Sequence, residues 1–314
     1  MRTVSAALSV FVLALVASAR GADYFLTIGG GAEPAANQRS IETNVLAYQD
    51  LLRAKRPDKP PHFLHFADGA ARERDLQYLD PELEKACSPA RRMMAELLGD
   101  GDAIGLRYRN HRVRDVAGPT EPDQLSAKFR ELGRQLKAGD RLIIYVDGHG
   151  EQAYGGYEYD YEQEEWTEKQ TKDGHKIPYN KFDTSFLVWN NESISASQFN
   201  RWLDRLDRKV AVVLVMGQCY AGGFSHAIFH RNDAELGLSS HARCGFFAQR
   251  HDRAAAGCTP DDEFEEYSSY FWSALSGTTR KGEPTNADFD ANGQVSFAEA
   301  HAYAIIESET YDVP

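Results

Sequence analysis

Two short stretches, residues 142–146 and 211–216, are apolar at every position. A strand with one face in water alternates apolar and polar side chains, so unbroken runs of this length suit strands covered on both faces. They call for a sheet with helices on each side, and the rest of the chain supplies the helices. Ile41, Val45, Tyr48 and Leu52 follow at helical spacing behind Ser40 as N-cap. Residues 82–98 read as one helix, and Leu125, Phe129, Leu132 and Leu136 mark another that Gly139 terminates. Residues 24–28, 63–66 and 186–189 are further strand candidates, and Ser195 with Gln198 makes a capping box for a helix carrying Phe199, Trp202, Leu203 and Leu206. Strand and helix alternate. That order predicts an α/β three-layer sandwich, a mostly parallel central sheet with functional groups beyond the carboxyl ends of its strands.

The chain of 314 residues reads as one domain from residue 23 onward, without internal repeats. Arg2, an apolar stretch over 4–16 and the small residues Ala17-Ser18-Ala19 have the pattern of a secretory signal over 1–22, with cleavage after Ala19 or Ala22. The expected location is therefore secreted or periplasmic, with no membrane contact once the signal is removed. Acidic residues number 47 against 35 basic ones, a formal charge of -12, which argues against a nucleic-acid partner because phosphate binding depends on clustered Lys and Arg. Residues 151–183 break the alternation: they are polar, aromatic and acidic, and read as a solvated surface insertion, with a lid or a recruiter of basic substrates as the functional alternative.

Chemistry concentrates where the two apolar runs end. The first delivers Asp147-Gly148-His149-Gly150 and the second Gly217-Gln218-Cys219, followed by Ala221-Gly222-Gly223. If the strands are parallel neighbours, imidazole and thiol emerge at one edge. A cysteine thiol with a reference pKa near 8.5 is only a few per cent thiolate at neutral pH, and an adjacent imidazole can take its proton and later return it to a leaving amine. Glycines let a substrate backbone come close and leave amides free for a developing oxyanion, here those of Gly150 and Cys219. Either residue alone is more often a buried small hydrophobe or a turn histidine. The pairing of both with glycine brackets at strand ends is what points to a catalytic dyad.

These two blocks resemble the signatures of caspase-like cysteine peptidases, the clan that includes legumains and metacaspases, and are most similar to its bacterial legumain-like branch. The resemblance covers most of residues 24–308 in element order, while only the His and Cys blocks are specific. It implies a caspase-like fold, an exported cysteine endopeptidase acting through an acyl-enzyme on a peptide or protein substrate, and no metal or organic cofactor for catalysis. Ala255, Ala256, Gly257 and Cys258 are similar to a small-residue segment bordering the substrate pocket, to which Asp147, Gln218, Asp252 and Arg253 would add polar groups. Gln218 stands where legumains carry a glutamate-alanine pair before the nucleophile, which puts substrate choice in question. Cleavage after Asn or a basic residue ranks above cleavage after Asp. A peptide ligase of the same fold and a catalytically idle interaction module are the alternatives.

Two features lie outside that pattern. Asp288, Asp290, Asn292, Gly293, Ser296 and Glu299 fall at the first, third, fifth, sixth, ninth and twelfth positions of an EF-hand loop, with Gln294 at the seventh, where the backbone carbonyl would ligate calcium. Gly277, Gly282 and Pro284 exclude a continuous entering helix, and Ser296 with Glu299 equally makes a metal-free capping box. Four cysteines are present, and with Cys219 kept as a thiol one bridge involving Cys258 is expected in an exported chain. His226 and His230 lack the glutamate of a zinc-protease helix, and Pro34 interrupts any dinucleotide fingerprint after Gly29 to Gly31.

Overall fold

The computed structural model describes residues 21–69, 74–99, 101–153, 157–160, 165–168, 179–261 and 264–314. The expected signal falls almost entirely outside the described residues, as does much of the acidic insertion. Among the described residues no helix is long and apolar enough to cross a membrane. The first half contains β1 (Asp23–Gly29), α1 (Arg39–Lys55), β2 (His62–Phe66), β3 (Leu76–Leu79), α2 (Pro81–Ala86), α3 (Pro89–Leu98), β4 (Leu106–Arg109), α4 (Pro122–Gln135) and β5 (Arg141–Asp147). The short strands β6 (Gly150–Glu151), β7 (Tyr157–Asp160), β8 (Glu165–Glu168), β9 (Ser185–Val188) and β10 (Glu192–Ser195) lead to α5 (Ala196–Leu203). The chain closes with β11 (Ala211–Met216), β12 (Arg243–Phe247), α6 (Tyr267–Ser276) and α7 (Phe297–Glu307).

Five strands form the central sheet in the order β12-β11-β5-β1-β2, all parallel. The two-residue period of a strand divides its side chains between two cores. Leu142, Ile144 and Val146 of β5, with Val212, Leu214 and Met216 of β11, pack against Leu125, Phe129 and Leu132 of α4 and Phe199 and Trp202 of α5. Ile143 and Tyr145 of β5 and Val215 of β11 point the other way, onto Ile41, Val45 and Tyr48 of α1, Phe271 and Trp272 of α6 and Tyr303 of α7. Both faces are covered, as the uninterrupted apolar runs require.

Several local expectations are corrected. The segment around Phe186 is not a strand of the central sheet: β9 pairs antiparallel with β10 and β6 in a separate three-stranded sheet. The cause is local, since Asn190 and Asn191 both take positive φ (69° and 56°) and turn the chain back into a hairpin before it can cross over. The single helix expected over 82–98 is two, because Pro89 cannot continue α2 and Ser88 instead caps α3 by accepting from Arg91 N. Helix α1 starts one residue before Ser40, with Gln38 at its cap, and Ser40 Oγ accepts from Thr259 N across the domain. Helix α4 ends at Gln135, short of Gly139, because Leu136 turns extended and packs into the core.

From β1 the chain runs outward to β2, then returns to the opposite side of β1 as β5. The order of strands thus reverses between β1 and β5, where the chain leaving β1 stays tied to the end of β5 through the Gly30 amide, which donates to Asp147 O at 3.2 Å.

Candidate active site

Strands β5 and β11 are adjacent, with Val146 opposite Met216, so the Gly148-His149-Gly150 turn and the Gly217-Gln218-Cys219 turn leave the sheet side by side. The Gly217 amide donates to Val146 O at 2.8 Å and ties the two exits together. A β-carbon on Gly150 would sit 2.1 Å from Cys219 O and 2.9 Å from Gln218 Cγ, a separation that only glycine permits. Sγ donates to Ala255 O at 3.6 Å, and the backbone of Ala255, Gly150 and Cys219 itself favours the thiolate.

His149 is oriented from the loop after β1. Its Nε2 lies 2.9 Å from Ala36 O and 3.1 Å from Gln38 Oε1. A backbone carbonyl can only accept, so Nε2 carries the proton and Nδ1 holds the free lone pair. The loop is fixed by fully buried Asn37, whose Nδ2 donates to Asp75 O at 2.8 Å and whose Oδ1 accepts from Gly31 N at 3.2 Å. Asp75 in turn accepts from His111 N at 2.9 Å and Nδ1 at 2.7 Å. None of Ala36, Asn37, Gln38 or Asp75 was foreseeable as a site residue, because a carbonyl oxygen has no residue type and Asp75 acts from a distant segment.

Burial sets the protonation of the pair. It pushes the Cys219 thiol up, opposed by the backbone dipoles of Ala255 and Gly150 and aided by the Asp312 charge. Burial pushes His149 down, opposed by the bond to Ala36 O. At neutral pH the resting pair is therefore thiol and neutral imidazole rather than an ion pair. The sulfur's hydrogen bond goes to Ala255 O, so in the resting geometry the thiol proton points to that carbonyl rather than to the imidazole.

The other expected site residues divide. Ala255 O meets the Cys219 thiol, Ala256 is buried, and Gln218 is 1 % exposed with neither amide atom hydrogen-bonded among the described residues. Asp147 is a correction: rather than facing substrate it is buried, accepting from Asn44 Nδ2 at 3.0 Å and Ser268 Oγ at 2.9 Å between α1 and α6. Asp252 is exposed and pairs with Arg250 at 2.8 Å, while Arg253, also exposed, contributes its carbonyl to Tyr220 N at 3.0 Å. The expected bridge at Cys258 does not form, and all four cysteines are free. Cys258 Sγ is directed at Gly148 O, 3.4 Å away, whereas Cys87 follows α2 and Cys244 lies on the edge strand β12.

No family model matches the chain, and no curated protein matches it. Among solved structures it is similar to protein GSU0716 from Geobacter sulfurreducens, at 12% identity and a TM-score of 0.31, over 63% of this chain and 50% of that one. The chain thus spans about half the length of that protein. A likeness this distant carries no functional argument, so function rests on the geometry.

Between α1 and α6, Asn44 bridges Asp147 to Glu266, whose second oxygen is buried without a partner among the described residues. Burial raises Asp147 to about 6, and burial with the Asp147 charge raises Glu266 to about 7. A carboxyl whose folded pKa is raised contributes stability that is full below its unfolded pKa near 4 and lost as pH climbs through the folded value. Glu266→Gln is therefore expected to flatten the fall in Tm between about pH 4 and pH 7, read by calorimetry across that range. A variant whose pH profile runs parallel to wild type would remove Glu266 from the account.

In the C-terminal loop, oxygens of Asp288, Asp290 and Glu299 lie within 4.8 Å of one another, and Gly293 takes φ 83°. The same carboxylates accept backbone amides: Asp288 from Asn292 and Gly293, and Glu299 from Phe289, Asp290 and Ser296. Ser296 Oγ accepts from Glu299 N to complete the capping box of α7, and Asn292 Oδ1 accepts from Gln294 N. The capped turn accounts for these bonds without a metal. On the calcium proposal, millimolar calcium should raise Tm by several degrees over chelator, since a ligand bound only by the folded state stabilises it. An unchanged Tm leaves the loop as a helix cap.

Proposed function

We propose that the chain is an exported cysteine endopeptidase of the caspase and legumain type, with Cys219 as nucleophile and His149 as general acid and base. The observation that supports this reading is the convergence of the two strand ends: β5 and β11 pair up to Val146 and Met216, a β-carbon at Gly150 would sit 2.1 Å from Cys219 O, and His149 has its proton on Nε2 and its lone pair on Nδ1. As a peptide carbonyl enters, Nδ1 takes the thiol proton and the sulfur adds to the carbonyl carbon. The oxyanion is held by the amides of Gly150 and Cys219. His149 then gives the proton to the departing amine, leaving an acyl-enzyme that water, deprotonated by the same imidazole, hydrolyses. Catalysis in this scheme calls on no cofactor.

The carboxylates of Asp147, Glu266 and Asp312 are buried or half-buried around the site, all within electrostatic range of Cys219 or Cys258. Their sign favours a neutral or cationic side chain before the scissile bond, Asn or a basic residue, over Asp. The test is a library of internally quenched peptides varied at that position, with Cys219→Ala as control. Cleavage by the wild type alone supports the peptidase. Silence from well-folded wild-type protein would favour an interaction module, and a joined product in the presence of an added amine nucleophile would favour a ligase.

A further inference from the structure

The C-terminal tail returns to the site. Asp312 lies two residues from the end of the sequence, outside any helix or strand, yet its Oδ1 accepts from Ala256 N at 2.8 Å and from Gln249 Nε2 at 3.4 Å. Gln249, 1 % exposed and just beyond β12, also donates to Ala254 O at 3.3 Å and accepts from Val313 N at 3.2 Å. The segment 254–256 is thus clamped to the sheet on one side and the tail on the other. Its next feature is Ala255 O, which meets the Cys219 thiol.

Two roles are conceivable for such a tail, a plug in the cleft or a brace behind its wall. Peptide geometry separates them. Ala255 O and Ala256 N belong to one trans peptide, whose C=O and N–H point in opposite directions. The Cys219 sulfur lies on the carbonyl side and Asp312 on the amide side, so the tail stands on the far side of the segment from the thiol.

We propose that Asp312 is a positioning residue, which with Gln249 holds segment 254–256 so that Ala255 presents its carbonyl beside the nucleophile as an acceptor for the backbone N–H of a bound peptide. The proposal rests on the peptidase reading for its consequence in substrate binding, though not for the clamp itself. A surface tail thereby sets the affinity of the cleft, and its displacement would weaken peptide binding rather than relieve inhibition.

The test uses the full chain with Asp312→Ala and Asp312→Asn, the second keeping an oxygen acceptor at Oδ1. Amide hydrogen exchange at Ala256, with Leu214 in β11 as a control for the integrity of the sheet, reads the clamp directly. Asp312→Ala should speed exchange at Ala256 at least tenfold with Leu214 unchanged, and Asp312→Asn should leave both protected. With quenched peptides carrying Asn or Arg before the scissile bond, Asp312→Ala should raise KM about tenfold, the size of one lost backbone hydrogen bond to the substrate, with kcat largely kept. Alkylation of Cys219 by iodoacetamide, which needs no peptide groove, should not slow. Unchanged exchange at Ala256 in Asp312→Ala overturns the proposal, as does faster cleavage, the mark of a plug. A wild type that cleaves neither peptide removes the peptidase reading, while exchange at Ala256 still decides whether Asp312 holds the segment.

Discussion

His149→Ala is expected to lower kcat/KM for peptide cleavage by roughly 10²–10⁴-fold, the range supplied by a positioned general acid and base. The resting pair makes the dependence steep: burial drives both groups to their neutral forms, so in the proposed mechanism the thiolate arises only when Nδ1 accepts the proton. Removing the imidazole leaves a thiol whose pKa is raised with nothing to deprotonate it at neutral pH. Rates of Cys219 alkylation by iodoacetamide between about pH 5 and pH 10 check the same point. Wild type should show an imidazole-dependent limb near or below pH 6.5, the reference value for histidine, and His149→Ala should react only along the thiol's own limb at higher pH. Equal cleavage or identical alkylation profiles in the two proteins would remove His149 from the mechanism. The folded state should survive the change, because His149 is partly exposed and its Nε2 bonds are to loop atoms.

Gly150→Ala is expected to lower kcat for cleavage by about 10²–10³-fold while reducing Tm. The added carbon would lie 2.1 Å from Cys219 O, 2.9 Å from Gln218 Cγ and 3.0 Å from Cys219 C. Two of these atoms are backbone and cannot swing aside, so one of the two turns must move. Movement separates the Gly150 amide from the place where the oxyanion forms, and losing one such donor costs about 10²–10³-fold in kcat. Overpacking of this kind destabilises by about 1–3 kcal/mol, which calorimetry would register as a fall in Tm of several degrees. Near-normal cleavage in Gly150→Ala would mean that the turns are not held as closely as the structure has them.

Much of the architecture was legible in the chain. The runs at 142–146 and 211–216 demand cover on both faces, and the sheet places their alternate residues in two separate cores. Where the expectations failed, a local signal had outcompeted the general pattern. The Asn190-Asn191 turn made a hairpin of a segment whose apolar character fitted a central strand. Pro89 divided a helical stretch that looked continuous, and Asp147, polar and next to the histidine, turned inward to Asn44 and Ser268.

The supporting groups were not legible, for a different reason. Ala36 O and Ala255 O act through backbone atoms, and the alanines that carry them have no chemical signature. Asp75 and Asp312 act across 38 and 56 residues of sequence, through Asn37 and Ala256 respectively. Such pairings exist only after the chain has folded back on itself.

By itself the sequence determined the two buried strands, the glycine brackets, and the presence of a thiol and an imidazole at their ends, because apolar periodicity and turn chemistry are local properties of a chain. Only the tertiary structure decided that the two strands are neighbours, which nitrogen of His149 is free, and that Asp147 is buried while Ala255 meets the thiol. Those outcomes depend on strand order and on hydrogen bonds between distant segments, and no window of residues encodes either.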